Sequence, residues 1–296
     1  MEVNWLQLIV NGIQLGAIYS LVALGLTLIF SIMNVINFAH GEIYMLGGFT
    51  GYYIYYKLLV MQLKFPNYLA YFITFIIILI VFSVLGFFLE KSIFRPFRGN
   101  LLAGLLISVG LGEIFQMGAA LSFGPETKGI PPTFTGTLSL FNASLSYQRI
   151  AIIVIGALLI VCLHFFLART KIGLAMRAIS QDREAAQSLG MNYGLTSSLG
   201  FAIGCVLAGF AGILVIPASY IDPFVGGGYL MKAFIIIIIG GMGSLPGCIL
   251  GGFIIGFIES FGSYFFALST ATVVSFIIVI AFLILRPRGL LGHAED

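Results

Sequence analysis

The sequence predicts an all-α polytopic membrane protein with about eight or nine transmembrane helices. Hydrophobic residues make up 60% of the 296 residues and charged residues only 8%, and the mean hydropathy is +1.11, whereas about 25% of a soluble domain is charged. The apolar residues form continuous runs, which excludes the alternating strands of an outer-membrane barrel. This composition leaves almost no sequence for a soluble catalytic domain.

The individual spans follow from the apolar runs, because about 20 helical residues cross a bilayer core of about 30 Å. We place them at 6–30, 43–62, 68–90, 101–122, 149–168, 195–217, 229–241, 247–266 and 270–286. The run at 229–241 is short and precedes a glycine-rich stretch. It therefore fits a full crossing, a re-entrant half-helix or part of a broken helix.

The positions of lysine and arginine predict the orientation, because cytoplasmic loops retain positive charge. With the loop after the third span inside, nine of the fourteen basic residues lie in cytoplasmic segments. The N-terminus is then outside and the C-terminus cytoplasmic. Segment 123–148 lies outside, as either a docking surface or a plain tether, and segment 169–194 forms a cytoplasmic loop. Within that loop, 182–189 predicts a short helix that Gly190 terminates.

Glycine and alanine spacing suggests an internal repeat. Both the first and the sixth span are rich in small residues, and each is followed by a polar hinge and a second glycine-rich segment. The two copies are five spans apart, so they would have opposite topology, as in transporters with inverted repeats and broken helices. Similar spacing also arises because small residues let membrane helices approach closely.

The sequence contains none of the catalytic or metal-binding motifs considered. No phosphate-loop motif occurs, His40, His164 and His293 are far apart, and the cysteines lie in apolar runs without a C-x-x-C spacing. The net charge of +3 is small and scattered, which gives no indication of nucleic acid binding. We expect no enzymatic activity, no metal site and no cofactor bound by this chain.

Ionisable side chains at apparent membrane depth are costly and mark either a solute pathway or a structural contact. Glu113, Glu259 and Lys232 fit either role. Glu90 borders Lys91 at a helix end, and we expect it to be an interfacial residue. The carboxylates are few and without a close pair, so an ion-coupled secondary transporter is kept as the alternative function.

The segment between the first two spans interrupts apolar sequence with polar residues, among them Asn37, His40 and Glu42. A discontinuous helix needs such residues to satisfy its freed backbone groups. A plain polar cytoplasmic turn has the same composition. The residues alone favour neither interpretation.

Three strings carry a resemblance to a known family: NFAHGE at 37–42, REAAQSLG at 183–190 and GGMGSLPG at 240–247. In this order and spacing they resemble the LivH-type permease subunits of high-affinity branched-chain amino acid ABC importers. The resemblance covers nearly the whole chain as a single permease domain, 1–296. Related urea and short-chain amide permeases share much of the pattern, so the solute stays open.

The resemblance implies a place in a prokaryotic plasma (inner) membrane. It also implies two ATP-binding cassette ATPases that use the ATP, a second permease of the LivM type and an extracytoplasmic substrate-binding protein. The binding protein would contact 123–148 and 218–228, and transport would proceed by alternating access. The second string would be a coupling helix, although the apolar-x-Leu-Pro ending of the fuller importer motif is absent and the next proline is Pro217.

Two sets of site residues follow from the resemblance. The coupling residues are Asp182, Arg183, Glu184, Ala185, Ala186, Leu189 and Gly190. The pathway and hinge residues are Asn37, His40 and Glu42, with Gly240, Gly241 and Gly243 as their counterpart in the second half of the chain.

Overall fold

The computed structural model describes residues 4–140 and 143–265 and a few positions between 273 and 291. The described residues are mainly helical. The helices are α1 (Trp5–Met33), α2 (His40–Thr50), α3 (Asn67–Leu89), α4 (Leu101–Phe123), α5 (Tyr147–Arg169), α6 (Lys171–Gln181), α7 (Arg183–Ser188), α8 (Tyr193–Val215), α9 (Val225–Gly240) and α10 (Leu245–Phe265). α2 continues as a π-helix, Gly51–Gln62, and α3 continues through a π-helical turn, Glu90–Phe94, and a 3-10 turn, Arg95–Phe97.

The chain is a multi-pass membrane protein. In its described part, six helical segments are long and apolar enough to cross a bilayer: Trp5–Met33, Asn67–Phe97, Leu101–Phe123, Tyr147–Arg169, Tyr193–Val215 and Leu245–Phe265. α9 is apolar but shorter, at 16 residues. The first eight predicted spans each coincide with a helix to within a few residues, and more than half of the ninth, 270–286, lies outside the described residues.

Asparagine side chains begin three of the long helices. Asn4 accepts a hydrogen bond from the Gln7 backbone N–H (3.2 Å), Asn100 from Ala103 (3.0 Å) and Asn192 from Leu195 (2.9 Å). Each bond satisfies one of the four free N–H groups at a helix start. These caps fix where α1, α4 and α8 begin.

α1 and α8 form the centre of the bundle and run antiparallel. Gly25 of α1 packs on Gly204 of α8, and Gly200 of α8 packs on Ile32 nearer the end of α1. Small residues at the crossing let the two backbones approach, as is common between membrane helices. By contrast, most of the surface of α3, α4 and α5 is exposed in the single chain.

The outer helices repeat around this centre. α10 packs antiparallel along α1, with Phe257 on Gly12 and Cys248 on Thr27, and α3 packs antiparallel along α8. α2 comes after α1 in the chain and packs on α8, whereas α9 comes after α8 and packs on α1. α2 and α9 also pack on each other. The arrangement relates α1–α3 to α8–α10 with opposite direction, which supports the inverted repeat over coincidental glycine spacing.

The described part of segment 123–148 forms a cap at the end of the bundle opposite to α7. It contains a two-stranded antiparallel hairpin of β1 (Thr137–Leu140) and β2 (Ala143–Ser146). Lys128 pairs with Ile221 through two backbone hydrogen bonds of 2.7 and 2.8 Å, and Gln148 accepts bonds from the backbone of Thr133 and Phe134. The Lys128–Ile221 pairing attaches the cap to the loop before α9, and the Gln148 bonds attach it to the first turn of α5, so it is not a plain tether.

Candidate functional site

The polar string at 37–42 lies inside the bundle. α1 ends at Met33, and Asn34 adopts a left-handed conformation with φ 52°. The chain then runs back along α1, so that the imidazole Nε2 of His40, the first residue of α2, lies 3.1 Å from the carbonyl oxygen of Val22. α2 therefore begins beside the middle of α1 and not beyond its end. His40 is fully buried, which favours a discontinuous helix over an exposed polar turn.

The start of α9 meets the start of α2. A methyl group on Gly41 would overlap the carbonyl of Gly226, and the Glu42 carboxylate packs directly against Gly226. Because a helix N-terminus carries partial positive charge, two such termini surround this carboxylate. We name the contact between residues 37–44 and 222–229 the half-helix junction.

Buried polar atoms without a hydrogen-bond partner concentrate on the α2 side of this junction. They are Asn37 Nδ2, His40 Nδ1 and Glu42 Oε2. Buried polar groups are normally paired, so unpaired ones indicate a place where water, a ligand or a rearrangement supplies the missing partner. Glu113 on the exposed face of α4 follows Gly112, which packs near the Glu42 side chain.

A buried ion pair lies next to the junction. Lys232 of α9 contacts Glu259 of α10 at 2.6 Å (Nζ to Oε1) and donates to the Tyr19 hydroxyl at 2.7 Å, while that hydroxyl donates to Glu259 Oε2. Tyr229 stacks on Tyr44, with ring centroids 4.0 Å apart. The pair joins α1, α9 and α10, so Glu259 and Lys232 make a structural contact with each other.

Replacing Lys232 with methionine is expected to destabilise the chain by about 3–5 kcal/mol, because it leaves the Glu259 carboxylate buried without its countercharge. Thermal unfolding of the detergent-solubilised protein measures the effect. The exposed Lys171→Met is the control, and Lys232→Met combined with Glu259→Gln should recover part of the loss. An unchanged unfolding temperature for Lys232→Met contradicts the structural role.

The residues predicted as the counterpart of 37–42 lie elsewhere. Gly240, Gly241 and Gly243 form the turn between α9 and α10, where Gly241 and Gly243 have φ of 98° and 84° and Gly240 packs on Gly247. Gly243 lines a cavity of about 410 Å³ between the end of α1, α6 and this turn. The segment that corresponds to the first break is the one before α9, and the residue it brings to Glu42 is Gly226.

Gly226 was not predicted as a site residue. The repeat could have identified it, because Gly12 and Gly200, and likewise Gly16 and Gly204, are 188 residues apart. The break between α1 and α2 covers residues 34–39. Residues 188 positions later are 222–227, the segment where α9 begins.

The predicted coupling residues form an exposed helix. Asp182 accepts a hydrogen bond from the Ala185 backbone N–H (2.9 Å), and Gly190 has φ 84°, which glycine adopts without strain. Ala186 packs inward, and its exposed fraction is 3%. The other predicted residues are exposed: Asp182, Arg183, Glu184, Ala185, Leu189 and Gly190. Leu189 is 79% exposed, which gives this helix an apolar contact point.

The expectation for Glu90 was wrong. Its side chain is fully buried and paired with two arginines, Arg95 at 3.1 Å and Arg98. It is not an interfacial residue, because the turn after α3 folds back over it against the first turn of α8.

Comparison with known proteins places these features in context. Residues 8–283 match the family model described as the permease component of the branched-chain amino acid transport system. The chain is 35% identical to the high-affinity branched-chain amino acid transport system permease protein BraD of Pseudomonas aeruginosa, over 99% of this chain and 97% of BraD. It is 32% identical to the corresponding protein LivH of Escherichia coli, over 98% of this chain and 96% of LivH.

A more distant similarity links the chain to a second type of permease. It is 27% identical to LivM of Escherichia coli, over 94% of this chain and 68% of LivM. No solved structure matches the chain.

Proposed function

The chain belongs to the family of branched-chain amino acid transport permease components, and from this membership we propose that it is the transmembrane permease subunit of an ATP-binding cassette importer. It carries branched-chain or other neutral amino acids across a prokaryotic inner membrane. The observation that supports this assignment most is α7, a capped and exposed helix at one end of a multi-pass bundle.

α7 is the coupling helix in this proposal. It docks into a groove on an ATPase subunit, where Ala185 permits close approach and Leu189 supplies apolar contact, while the charged side chains stay at the wet rim. Two ATPases, one for each permease subunit, bind and hydrolyse ATP. This chain then needs no cofactor of its own.

A second permease of the LivM type completes the membrane part. The similarity to LivM supports a pair of related subunits. A substrate-binding protein contacts the opposite end, at the cap 123–148 and the loop 218–228, which are joined by the Lys128–Ile221 pairing. In this orientation α7 is cytoplasmic and the N-terminus lies outside.

The half-helix junction is the proposed hinge of the solute pathway. Asn37, His40 and Glu42 have unpaired polar atoms there, and the helix starts of α2 and α9 touch through glycine. ATP binding to the ATPases favours one arrangement of the bundle, and release of the nucleotide favours the other. The junction therefore opens alternately to each side of the membrane. The glycines Gly240, Gly241 and Gly243 give the α9–α10 turn its shape.

Affinity purification of the tagged chain from its host, followed by reconstitution into liposomes, tests the proposal. We expect two phosphate-loop ATPases and a second permease to co-purify, and ATP-dependent uptake of leucine, isoleucine or valine when a binding protein is added. Uptake of urea or amides alone would assign the related solute class. A chain that purifies without ATPases and takes up solute when an ion gradient is imposed would contradict the proposal in favour of a secondary transporter.

A further inference from the structure

A cluster of charged and polar side chains around one buried carboxylate joins three segments of the chain beside the coupling helix. It lies where the turn after α3, the start of α7 and the first turn of α8 meet. We call it the Glu90 cluster, and its members are Glu90, Arg95, Arg98, Arg183, Tyr193, Ser197 and Ser198.

Both oxygens of the Glu90 carboxylate are satisfied from two directions. Arg95 and Arg98 bind it from the turn after α3, and the hydroxyls of Ser197 and Ser198 donate to it from α8. Arg95 also reaches across to α8, where it donates to the Gly194 carbonyl oxygen at 3.0 Å and to Ser198 at 2.8 Å. One carboxylate therefore holds the end of α3 on the start of α8.

Tyr193 connects this ion cluster to the coupling helix. The guanidinium carbon of Arg98 lies 4.5 Å from the centroid of its ring, and that of Arg183, the first residue of α7, lies 3.9 Å from the same centroid. Guanidinium groups at this distance from an aromatic ring are attracted to it. Only the short link 189–192 separates α7 from α8, and Asn192 at its end caps α8. The two helices are therefore joined both through the chain and through Tyr193.

Motion of α8 has a direct route to the half-helix junction. Gly209 and Gly212 of α8 pack on the backbone of α2 at Gly47 and Tyr44. A displacement of α7 that carried α8 along would therefore move α2, which contains His40 and Glu42.

We propose that Glu90 is a positioning residue that makes the end of α3, the coupling helix α7 and the start of α8 move as one body during transport. The inference rests on the proposed function, because it needs an ATPase that moves α7. A buried carboxylate suits this role, because it binds both arginines at once. If either arginine leaves, the buried carboxylate loses a countercharge.

Glu90→Gln tests the proposal in the assembled complex of permeases, ATPases and binding protein in liposomes. Glutamine keeps the size of the side chain and removes its charge. We expect the complex to assemble and hydrolyse ATP, while the amount of amino acid taken up per ATP falls about tenfold, within the usual range of coupling between sites. Lys91→Gln, which neutralises the exposed neighbour, should leave this ratio unchanged, and Glu90→Asp should restore part of it.

A distance measurement distinguishes coupling from simple loss of structure. Spin labels at the exposed positions Lys91 and Gln181 report the separation of the end of α3 from the last residue of α6, next to α7, with the exposed Cys162 replaced by serine. We expect the same distance with and without ATP in the otherwise unaltered chain, and an ATP-dependent or broadened distance in Glu90→Gln. This measurement stays informative if Glu90→Gln fails to assemble.

Two results would overturn the inference: an ATP-dependent Lys91–Gln181 distance in the chain with Glu90 intact, or normal uptake per ATP in Glu90→Gln. Neither would affect the proposed function. Failure of any ATPase to co-purify with the unaltered chain would instead overturn the proposed function itself.

Discussion

Replacing Ala185 with tryptophan is expected to reduce the ATPase that co-purifies with the chain by at least about tenfold, which corresponds to about 1.4 kcal/mol of binding free energy. Ala185 is exposed on α7, so the larger side chain has room in the free subunit. In a docked complex it would occupy the space of the partner's surface. The expected variant folds, enters the membrane and loses ATP-dependent uptake.

Two further variants separate docking from folding. Ala168→Trp places the same side chain on an exposed position of α5 and should leave ATPase association unchanged. Ala186→Trp should instead lower the amount of folded chain, because Ala186 lies on the buried face of α7. Quantitative mass spectrometry of the purified complexes measures all three, and full ATPase recovery with Ala185→Trp would contradict the coupling-helix assignment.

The second large effect is expected from Gly41→Ala at the half-helix junction. The added methyl group would overlap the Gly226 carbonyl and lie 2.8 Å from Leu230 Cβ. Overpacking costs about 1–3 kcal/mol, and the two helix starts would have to separate. We expect uptake, corrected for the amount of chain in the membrane, to fall by about tenfold or more.

Gly118→Ala is the matched control, because open space surrounds a Cβ at that position. It adds the same methyl group to an exposed position of α4, outside the half-helix junction and outside segment 218–228. Radiolabelled amino acid uptake into cells that carry each variant compares the two directly. Equal uptake by both variants would mean that close approach of α2 and α9 is not needed for transport.

Features encoded by neighbouring residues could be predicted from the sequence. α7 is marked by Asp182 at one end and Gly190 at the other, and the structure places the cap and the positive φ at these two residues. The ends of the long helices follow in the same way from asparagine caps and polar breaks. Residues 37–42 are likewise marked in the sequence, because polar side chains interrupt an apolar run there.

Features that depend on distant segments could not be predicted. Glu90 is charged and adjacent to Lys91, so local sequence indicates an exposed helix end, and its burial depends on two serines more than 100 residues away. Gly226 stands in a run of three glycines that indicates a loop, and only its contact with Gly41 gives it a role. Lys232 and Glu259 are likewise paired only through the packing of α9 on α10.

The antiparallel packing of α1 on α8 and α10 also determines the order in which the chain assembles during synthesis. α1 is made first, but the helices that cover its glycine face begin 188 and 240 residues later, at Tyr193 and Leu245. At about 5–20 residues per second the ribosome needs about 10–40 s to reach α8. During that time the glycine face of α1 lacks the two helices that cover it, so the core of this subunit forms only after α10 has been made.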